Sequence, residues 1–227
     1  MGIAYNTSIV SDGLVFALDA ANTRSYSGSG LTVFDLYSGT ATTLINGVGI
    51  TSFNSGAFVF DGSNDYINPA FPVANNSDFT IGFWMNYQDV TNVERGLVAT
   101  WDTSWNGFGI GTYGAQIRSW VNDGAGGGLN WAAITTNVWK YYTLAFSNSA
   151  KTQYVYIDGI FLTSAFEGRT VTHSSLQIAR GGQTSSTQLI YYPYLKCQIS
   201  QLSIYNKRLS NAEIKQNYNA TKKRYGL

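Results

Sequence analysis

The residues that could catalyse a reaction are few in this sequence and lie far apart. Its three glutamates are Glu94, Glu167 and Glu213, and it has one histidine, His173, and one cysteine, Cys197. A glycosidase needs two carboxyl groups about 5–5.5 Å apart for a retaining mechanism, or about 6.5–9.5 Å apart for an inverting one. No two glutamates are close in the sequence, so only folding could form such a pair. We therefore predict a protein that is not an enzyme, with glycoside hydrolysis as the least favoured alternative.

The single histidine and the single cysteine offer no second route to catalysis. His173 stands in a Thr/Ser-rich turn without a G-x-S-x-G nucleophile elbow, so we expect a solvated loop residue. Cys197 lies in a strand-like run and is expected to be a buried thiol. One Cys and one His are too few for a structural zinc site. The glycines at 124–128 lack the Lys-Ser/Thr of a phosphate loop, and Arg180 with the glycines after it is interpreted as a turn, so no cofactor is predicted.

Aromatic side chains with polar neighbours are concentrated in two long irregular segments, 100–131 and 181–195. Sugar binding needs flat aromatic faces for C–H surfaces and amide or carboxylate groups for hydroxyls. Tyr and Trp are also enriched at protein interfaces. Three interpretations of these residues are open: a glycan-contacting rim, subunit contacts, or core packing. The candidate ligand-binding residues are Trp101, Asp102, Trp105, Asn106, Tyr113, Trp131 and Tyr192.

The segments that would position these loops have the pattern of β-strands. In the run 79–85, Phe79, Ile81, Phe83 and Met85 fall on one face and alternate with the residues between them. The run 154–162 alternates similarly up to an Asp-Gly hairpin turn. Aromatic residues make up 15% of the chain, and 24 glycines punctuate it. We predict one all-β domain over 1–227, an antiparallel two-sheet jelly roll.

One short helix is predicted at the C-terminal end. Ser210 and Glu213 have the spacing of a capping box, and Leu209 and Ile214 have the spacing of a hydrophobic staple. Ile214 and Tyr218 then share a face. The helix should cover about 211–219 and hold the chain end against the sandwich.

Charge excludes some partners. The formal net charge is +1, which argues against nucleic-acid binding by the whole chain. Residues 191–227 hold seven basic residues and one acidic residue, a net +6, and the remainder is −5. The basic segment fits a solvated helix end better than a dock for an acidic neighbour. No apolar run is long enough for a membrane span, and the start lacks signal-peptide features, so we expect synthesis in a cytoplasm.

Seven segments, in order, resemble the laminin-G-like members of the concanavalin A-like lectin/glucanase jelly rolls. The segments are 11–30, 58–67, 79–85, 137–146, 154–162, 176–180 and 199–222. They are spread along the chain from residue 11 to residue 222 and imply the same fold as the strand pattern. Hydrolases of this superfamily carry an E-x-D-x-E cluster on one strand face, and the chain has none.

The resemblance also implies a calcium site at Asn64 and Asp65. In many relatives this acidic turn shares a cation with an Asp of the closing strand, a position occupied here by Ser200. Hard cations take clustered oxygen ligands. The alternative, which we prefer, is that Asp61, Asn64 and Asp65 hydrogen-bond their own turn.

The opening segment and the end at 224–227 resemble stand-alone versions of the domain among tailed-bacteriophage virion proteins. That likeness implies a non-enzymatic virion structural protein, either a capsid decoration or a tail or fibre component. Its expected partners are other virion proteins, further copies of itself and a host-surface glycan, with no nucleic acid and no membrane. Its expected location is the virion, after synthesis in the host cytoplasm. The alternative is a dedicated carbohydrate-binding adhesion module.

Overall fold

The computed structural model describes residues 8–52, 56–88, 95–102, 104, 106–121, 128–181 and 194–227. The first eight strands are β1 (Leu14–Asp19), β2 (Thr32–Phe34), β3 (Ala41–Ile45), β4 (Gly49–Thr51), β5 (Ala57–Asp61), β6 (Tyr66–Ile67), β7 (Phe79–Tyr87) and β8 (Arg95–Ala99). The others are β9 (Phe108–Tyr113), β10 (Gln116–Val121), β11 (Leu129–Ala133), β12 (Trp139–Ser147), β13 (Thr152–Ile157), β14 (Ile160–Phe166), β15 (Gln177–Ile178) and β16 (Lys196–Tyr205). Helix α1 (Asn211–Thr221) follows, and a 3₁₀ turn covers Lys222–Tyr225.

The strands form two antiparallel sheets that face each other. Sheet I has the order β14-β13-β12-β7-β16-β5-β4, with β1 also paired to β16. Sheet II has the order β11-β10-β9-β8-β15-β6-β3-β2. The predicted all-β fold of two antiparallel sheets with one short C-terminal helix is confirmed.

The core lies between the sheets and is rich in aromatic rings. Phe79 stacks on Phe108 of the opposite sheet, with ring centroids 4.8 Å apart, and on Phe146 of the neighbouring strand, at 5.6 Å. Ile81, Phe83 and Met85 face the same core, as the alternation predicts. The residues between them point to the outer face of sheet I.

Helix α1 and the 3₁₀ turn cover that outer face. Trp84 of β7 is fully buried beneath them, with its ring centroid 4.0 Å from that of Tyr225 and 5.8 Å from that of Tyr218. The indole N–H donates to the Thr221 hydroxyl at 2.8 Å. Trp84 and Trp139 are therefore buried together in a layer beneath the helix.

The basic C-terminal segment makes contacts within the chain. Arg224 forms an ion pair with Asp19 at 2.9 Å and donates to the Gly56 carbonyl oxygen at 3.1 Å. Lys207 contacts the carboxylates of Asp12 and Glu213. These ion pairs tie the end of the chain to β1 and to the start of the helix. No helix in the described part of the chain is long and apolar enough to cross a membrane.

The predicted capping box is present at the start of α1. The Ser210 hydroxyl accepts the Glu213 N–H at 3.3 Å, and the Glu213 carboxylate accepts the Ser210 N–H at 2.8 Å. Leu209 and Ile214 are buried together. The hydrogen bond from Lys207, followed by that from the Ser210 N–H, lowers the pKa of Glu213 to about 2.

Removing the cap hydroxyl gives a first prediction. We expect Ser210→Ala to lower the free energy of unfolding by about 1 kcal/mol, because one N–H of the first helical turn loses its acceptor. Urea denaturation measures the change. Ser210→Asn, which keeps a side-chain acceptor, is the matched control and should stay within about 0.5 kcal/mol of the wild type. Equal stability of Ser210→Ala and the wild type would contradict the assignment.

Candidate functional site

Trp101 is buried on the outer face of sheet II. Its side chain is 2% exposed and clusters with Ala99 and Trp120, the two indole rings meeting edge to face at 5.9 Å. Gly109 on β9 makes room for the indole, because a Cβ there would lie 2.2 Å from the Trp101 ring. The rim interpretation of Trp101 is therefore corrected. It packs against the sheet as a core residue does.

Trp131 is buried between the sheets. Its indole N–H donates to the Ser119 hydroxyl at 2.8 Å, and that hydroxyl donates to Oε1 of Gln153. Gln153, on β13 of sheet I, donates in turn to the Glu167 carboxylate. Trp131 thus begins a chain of hydrogen bonds that links the two sheets through the core. The rim interpretation is corrected for this residue as well.

Asp102 and Asn106 form the turn between β8 and β9. Oδ1 of Asp102 accepts the backbone N–H groups of Ser104 and Asn106 at 2.8 and 3.0 Å, and Oδ2 accepts Nδ2 of Asn106 at 2.8 Å. Partial burial acts to raise the pKa of Asp102, but the hydrogen bonds from Asn106 and Ser104 outweigh it and the pKa is lowered. The carboxylate is therefore ionised and holds its own turn. Two other predicted contact residues, Trp105 and Tyr192, lie outside the described residues.

Tyr113 presents its ring to solvent, with 48% of the residue exposed. It ends β9, whereas the Asp102 turn precedes that strand, and the strand itself spans about 17 Å. The structure therefore places the described candidates at separate positions. Tyr113 and the Asp102 turn lie at opposite ends of β9, Trp101 is packed on the outer face, and Trp131 lies in the core.

Tyr113 begins a row of stacked groups along the outer face of sheet II. The guanidinium carbon of Arg118 lies 4.7 Å from the Tyr113 ring centroid and 5.4 Å from that of Trp120. Trp101 follows Trp120. We call Tyr113, Arg118, Trp120 and Trp101 the outer row. Gly109 and Gly111, two positions apart on β9, lie beneath it, which explains why that strand carries no larger side chains there.

The acidic turn at 61–65 satisfies its own hydrogen bonds. Oδ1 of Asp61 accepts the N–H of Ser63 at 2.7 Å and that of Asn64 at 3.4 Å, and Oδ2 of Asp65 accepts the Asp61 N–H at 3.1 Å. The Ser63 N–H is the main cause that lowers the pKa of Asp61, whereas burial raises the pKa of Asp65. The main-chain carbonyl of Asn64 accepts Nδ2 of Asn46.

The third position of the implied calcium site lies elsewhere. Lys196 pairs with Asp61 across the β16–β5 ladder, and Ser200 is four residues further along β16, about 13 Å away. The Ser200 hydroxyl bonds instead to the hydroxyl of Tyr225. These residues do not fit a cation shared by Asn64, Asp65 and the closing strand, and the calcium interpretation is corrected in favour of a self-bonded turn.

His173 is packed among aromatic rings. Its ring centroid lies 4.4 Å from that of Phe71 and 5.3 Å from that of Phe79, and Nδ1 shares a hydrogen bond with the Thr100 hydroxyl at 3.1 Å. Burial lowers its pKa to about 4, so the imidazole is neutral at pH 7. The prediction of a solvated loop residue is wrong, because Phe71 and Phe79 enclose the turn from distant parts of the chain.

Two of the three glutamates considered for catalysis are bonded within the described fold. Glu213 is held by the capping box and Lys207, and Glu167 accepts the Gln153 amide. Glu94 lies outside the described residues. Cys197 is free and fully buried, as predicted, and burial raises the pKa of its thiol.

The family model for the concanavalin A-like lectin/glucanases superfamily matches residues 61–215, about two thirds of the chain. The chain belongs to that superfamily. Among curated proteins, none matches it.

Solved structures with the same lectin-like jelly roll include toxin domains and sialidases. The binding domain of Paraclostridial Mosquitocidal Protein 1 aligns with a TM-score of 0.72 at 19% identity, over 92% of this chain and 52% of that one. The Botulinum Neurotoxin Type G receptor binding domain aligns with a TM-score of 0.67 at 16% identity, over 92% and 51%. Trypanosoma rangeli sialidase in complex with sialic acid gives 0.70 at 16% identity, over 96% and 34%. This member of the superfamily thus spans about half or a third of those chains.

One polar cluster of this lectin-like domain has no counterpart among the predicted site residues. Arg180, interpreted from the sequence as part of a turn, is buried on the outer face of sheet II between the rings of Tyr66 and Tyr194. Ala179, which precedes Arg180, has a φ of 64°. The chain then passes so close to β8 that a Cβ added to Gly96 would lie 1.9 Å from the main-chain nitrogen of Gly181. No local sequence pattern predicts this arrangement, because the residues around Arg180 come from three separate segments, at Tyr66, Gly96 and Tyr194.

Proposed function

We propose that this chain is a non-enzymatic virion structural protein that associates with neighbouring subunits through the open edge of sheet I. The observation that carries the proposal is strand β14, which ends sheet I and pairs only with β13 among the described strands. Four of its seven residues are large apolar side chains that face solvent. They are Ile160, Phe161, Leu162 and Phe166, exposed by 63, 46, 43 and 76%.

An edge of this kind is unusual for a protein that stays alone. Edge strands present unpaired N–H and C=O groups, and monomeric proteins protect them with charges, proline, bulges or short length. Strand β14 contains no charged residue and no proline, and its sequence IFLTSAF spans about 23 Å, with a single bulge at Leu162 where the pairing to β13 shifts register. The opposite edge strand of the sheet, β4, has three residues. We infer that β14 pairs with the β14 of a second copy, because an isologous contact between identical strands buries both apolar edges at once.

The bacteriophage part of the proposal is supported by sequence resemblance. The opening and closing segments resemble those of stand-alone domains in tailed-phage virion proteins, and several carboxylates that catalysis could use are committed to the fold. Contact with other virion proteins through the same edge, and location in the virion, belong to the same proposal.

The prediction that tests the edge uses light scattering after size exclusion. We expect the wild type to be a dimer or larger at about 50 μM, and Ile160→Lys with Phe166→Lys to give a monomer of unchanged fold, because two charges would be buried in the contact. Leu31→Lys, at an apolar residue near β2 that is 57% exposed, is the control and should keep the wild-type mass. Association through β14 would be refuted by a monomeric wild type. It would also be refuted if Leu31→Lys lowered the mass as much as the double variant in β14.

A dedicated carbohydrate-binding module is the second candidate. The specific observation in its favour is the exposed ring of Tyr113 beside the Arg118 guanidinium, on a domain of a lectin superfamily. A glycan array tests it: Tyr113→Ala and Trp105→Ala should weaken a signal seen with the wild type. No signal at millimolar sugar would argue against this candidate and leave the β14 proposal untouched.

A further inference from the structure

Arg180 is a buried cation that stacks on two tyrosine rings and forms no ion pair with any described residue. It is 4% exposed, and neither Nε nor Nη2 has a hydrogen-bond acceptor. A buried guanidinium that lacks both an anion and acceptors is costly to fold, so charged groups in protein interiors are normally paired.

The two unpartnered nitrogens are adjacent and form one edge of the guanidinium. Two parallel N–H groups on one edge match the two oxygens of a carboxylate, in a bidentate arrangement that a lysine cannot reproduce. The main chain next to Arg180 is anchored, since Ala179 donates to the Leu97 carbonyl oxygen at 2.6 Å and accepts the Leu195 N–H at 3.1 Å. The guanidinium itself lies against the rings of Tyr66 and Tyr194.

The surroundings of this edge carry the other groups that a sugar ring needs. The guanidinium carbon lies 4.5 Å from the ring centroid of Tyr66 and 5.7 Å from that of Tyr194. Gln177, three residues before Arg180, is buried on the same face of the sheet, opposite Ala99. Its Nε2 donates to Asn68 at 2.8 Å, while its Oε1 has no donor. Aromatic faces for C–H surfaces and an acceptor for a hydroxyl favour a saccharide over a simple anion.

The charge of the sheet fits an acidic ligand. The eight strands of sheet II contain no aspartate or glutamate, and β10 contributes Arg118 to the outer face, beside Tyr113 and Trp120. A face lined by one sign of charge attracts ligands of the opposite sign.

We propose that Arg180 binds the carboxylate of an acidic sugar residue on the outer face of sheet II. Nε and Nη2 donate to the two carboxylate oxygens, Tyr66 lies against the sugar ring, and Gln177 Oε1 accepts a hydroxyl. Tyr194, whose ring is the more distant of the two, moves aside to admit the ligand. This site is separate from strand β14, so it stands or falls independently of subunit association.

The test measures melting temperature and calorimetric binding with methyl glucuronide, with methyl glucoside as the neutral match. At about ten times its dissociation constant, the glucuronide should raise the melting temperature of the wild type by about 3–6 °C. The glucoside should have no effect. Arg180→Met should abolish the response to the glucuronide. Arg180→Lys should bind the glucuronide at least tenfold more weakly, because an ammonium group cannot make the bidentate contact with a carboxylate.

The variants also separate a ligand-binding arginine from a structural one. Without ligand, Arg180→Met should melt above the wild type, because an unpaired buried charge has been removed. The control Arg224→Met should melt below it, because that arginine pairs with Asp19, and should keep the response to glucuronide. The proposal is overturned if Arg180→Met is destabilised, if the glucuronide has no effect on the wild type, or if a capped glutamate peptide binds and the glucuronide does not.

Discussion

Replacing Trp101 by alanine is expected to lower the free energy of unfolding by about 3–5 kcal/mol. The residue is almost fully buried, its ring packs edge to face on Trp120, and the glycine at position 109 leaves a space that only the indole fills. Alanine would leave a cavity that two β-strands cannot close. Equilibrium denaturation in urea, with unchanged m-value, measures the loss.

The matched control is Tyr113→Ala, which removes an exposed ring from the other end of the outer row. It should cost less than about 1 kcal/mol, because surface substitutions leave no cavity. Gly109→Ala should reproduce part of the Trp101→Ala loss, since the added Cβ collides with the same indole. Losses below about 1 kcal/mol for both Trp101→Ala and Gly109→Ala would contradict the packing and return Trp101 to the candidate ligand contacts.

The second large effect is a loss of stability in mild acid. We expect the free energy of unfolding to fall by about 3 kcal/mol between pH 7 and pH 4 through His173. Burial lowers its pKa to about 4, against 6.5 in the unfolded chain. The unfolded chain therefore binds the proton more readily, so the stabilisation is complete above pH 6.5 and is lost as the pH falls towards 4.

Between pH 7 and pH 5 the loss comes mainly from His173, the chain's one histidine, whereas Glu213, with its pKa lowered to about 2, adds a smaller loss as the pH approaches 4. His173→Phe should flatten the profile between pH 7 and pH 5, since a phenyl ring suits the contacts with Phe71 and Phe79 and cannot be protonated. Urea denaturation at half-unit pH steps gives both profiles. Parallel profiles for the wild type and His173→Phe would assign the acid sensitivity to other groups.

Local patterns were enough to predict the two-sheet class and the helix, but the prediction that 100–131 is irregular is wrong, because β9, β10 and the start of β11 lie there. Alternation over 79–85 identifies the core face of β7, and the Ser210–Glu213 spacing identifies the start of α1, because both depend on residues close in sequence. The helix ends two residues beyond the predicted 219, where its last turn packs on Trp84. The extension depends on a residue more than 130 positions away, which no local pattern contains.

The site was harder to predict for the same reason. Trp101 and Trp131 were grouped with Tyr113 because they share a loop-like segment, but strand pairing sends them to different faces and layers. One signal was available: glycines two apart in β9 fall on one face and indicate a close approach by another group. Nothing comparable marks Arg180, whose environment is made by β6, β8, β15 and the segment leading into β16.

Cryo-electron microscopy of the purified virion tests the central claim most directly. We expect density for this two-sheet fold on the particle, with strand β14 buried against a neighbouring subunit. Particles that lack the chain, or that carry it with β14 facing solvent, would contradict the claim.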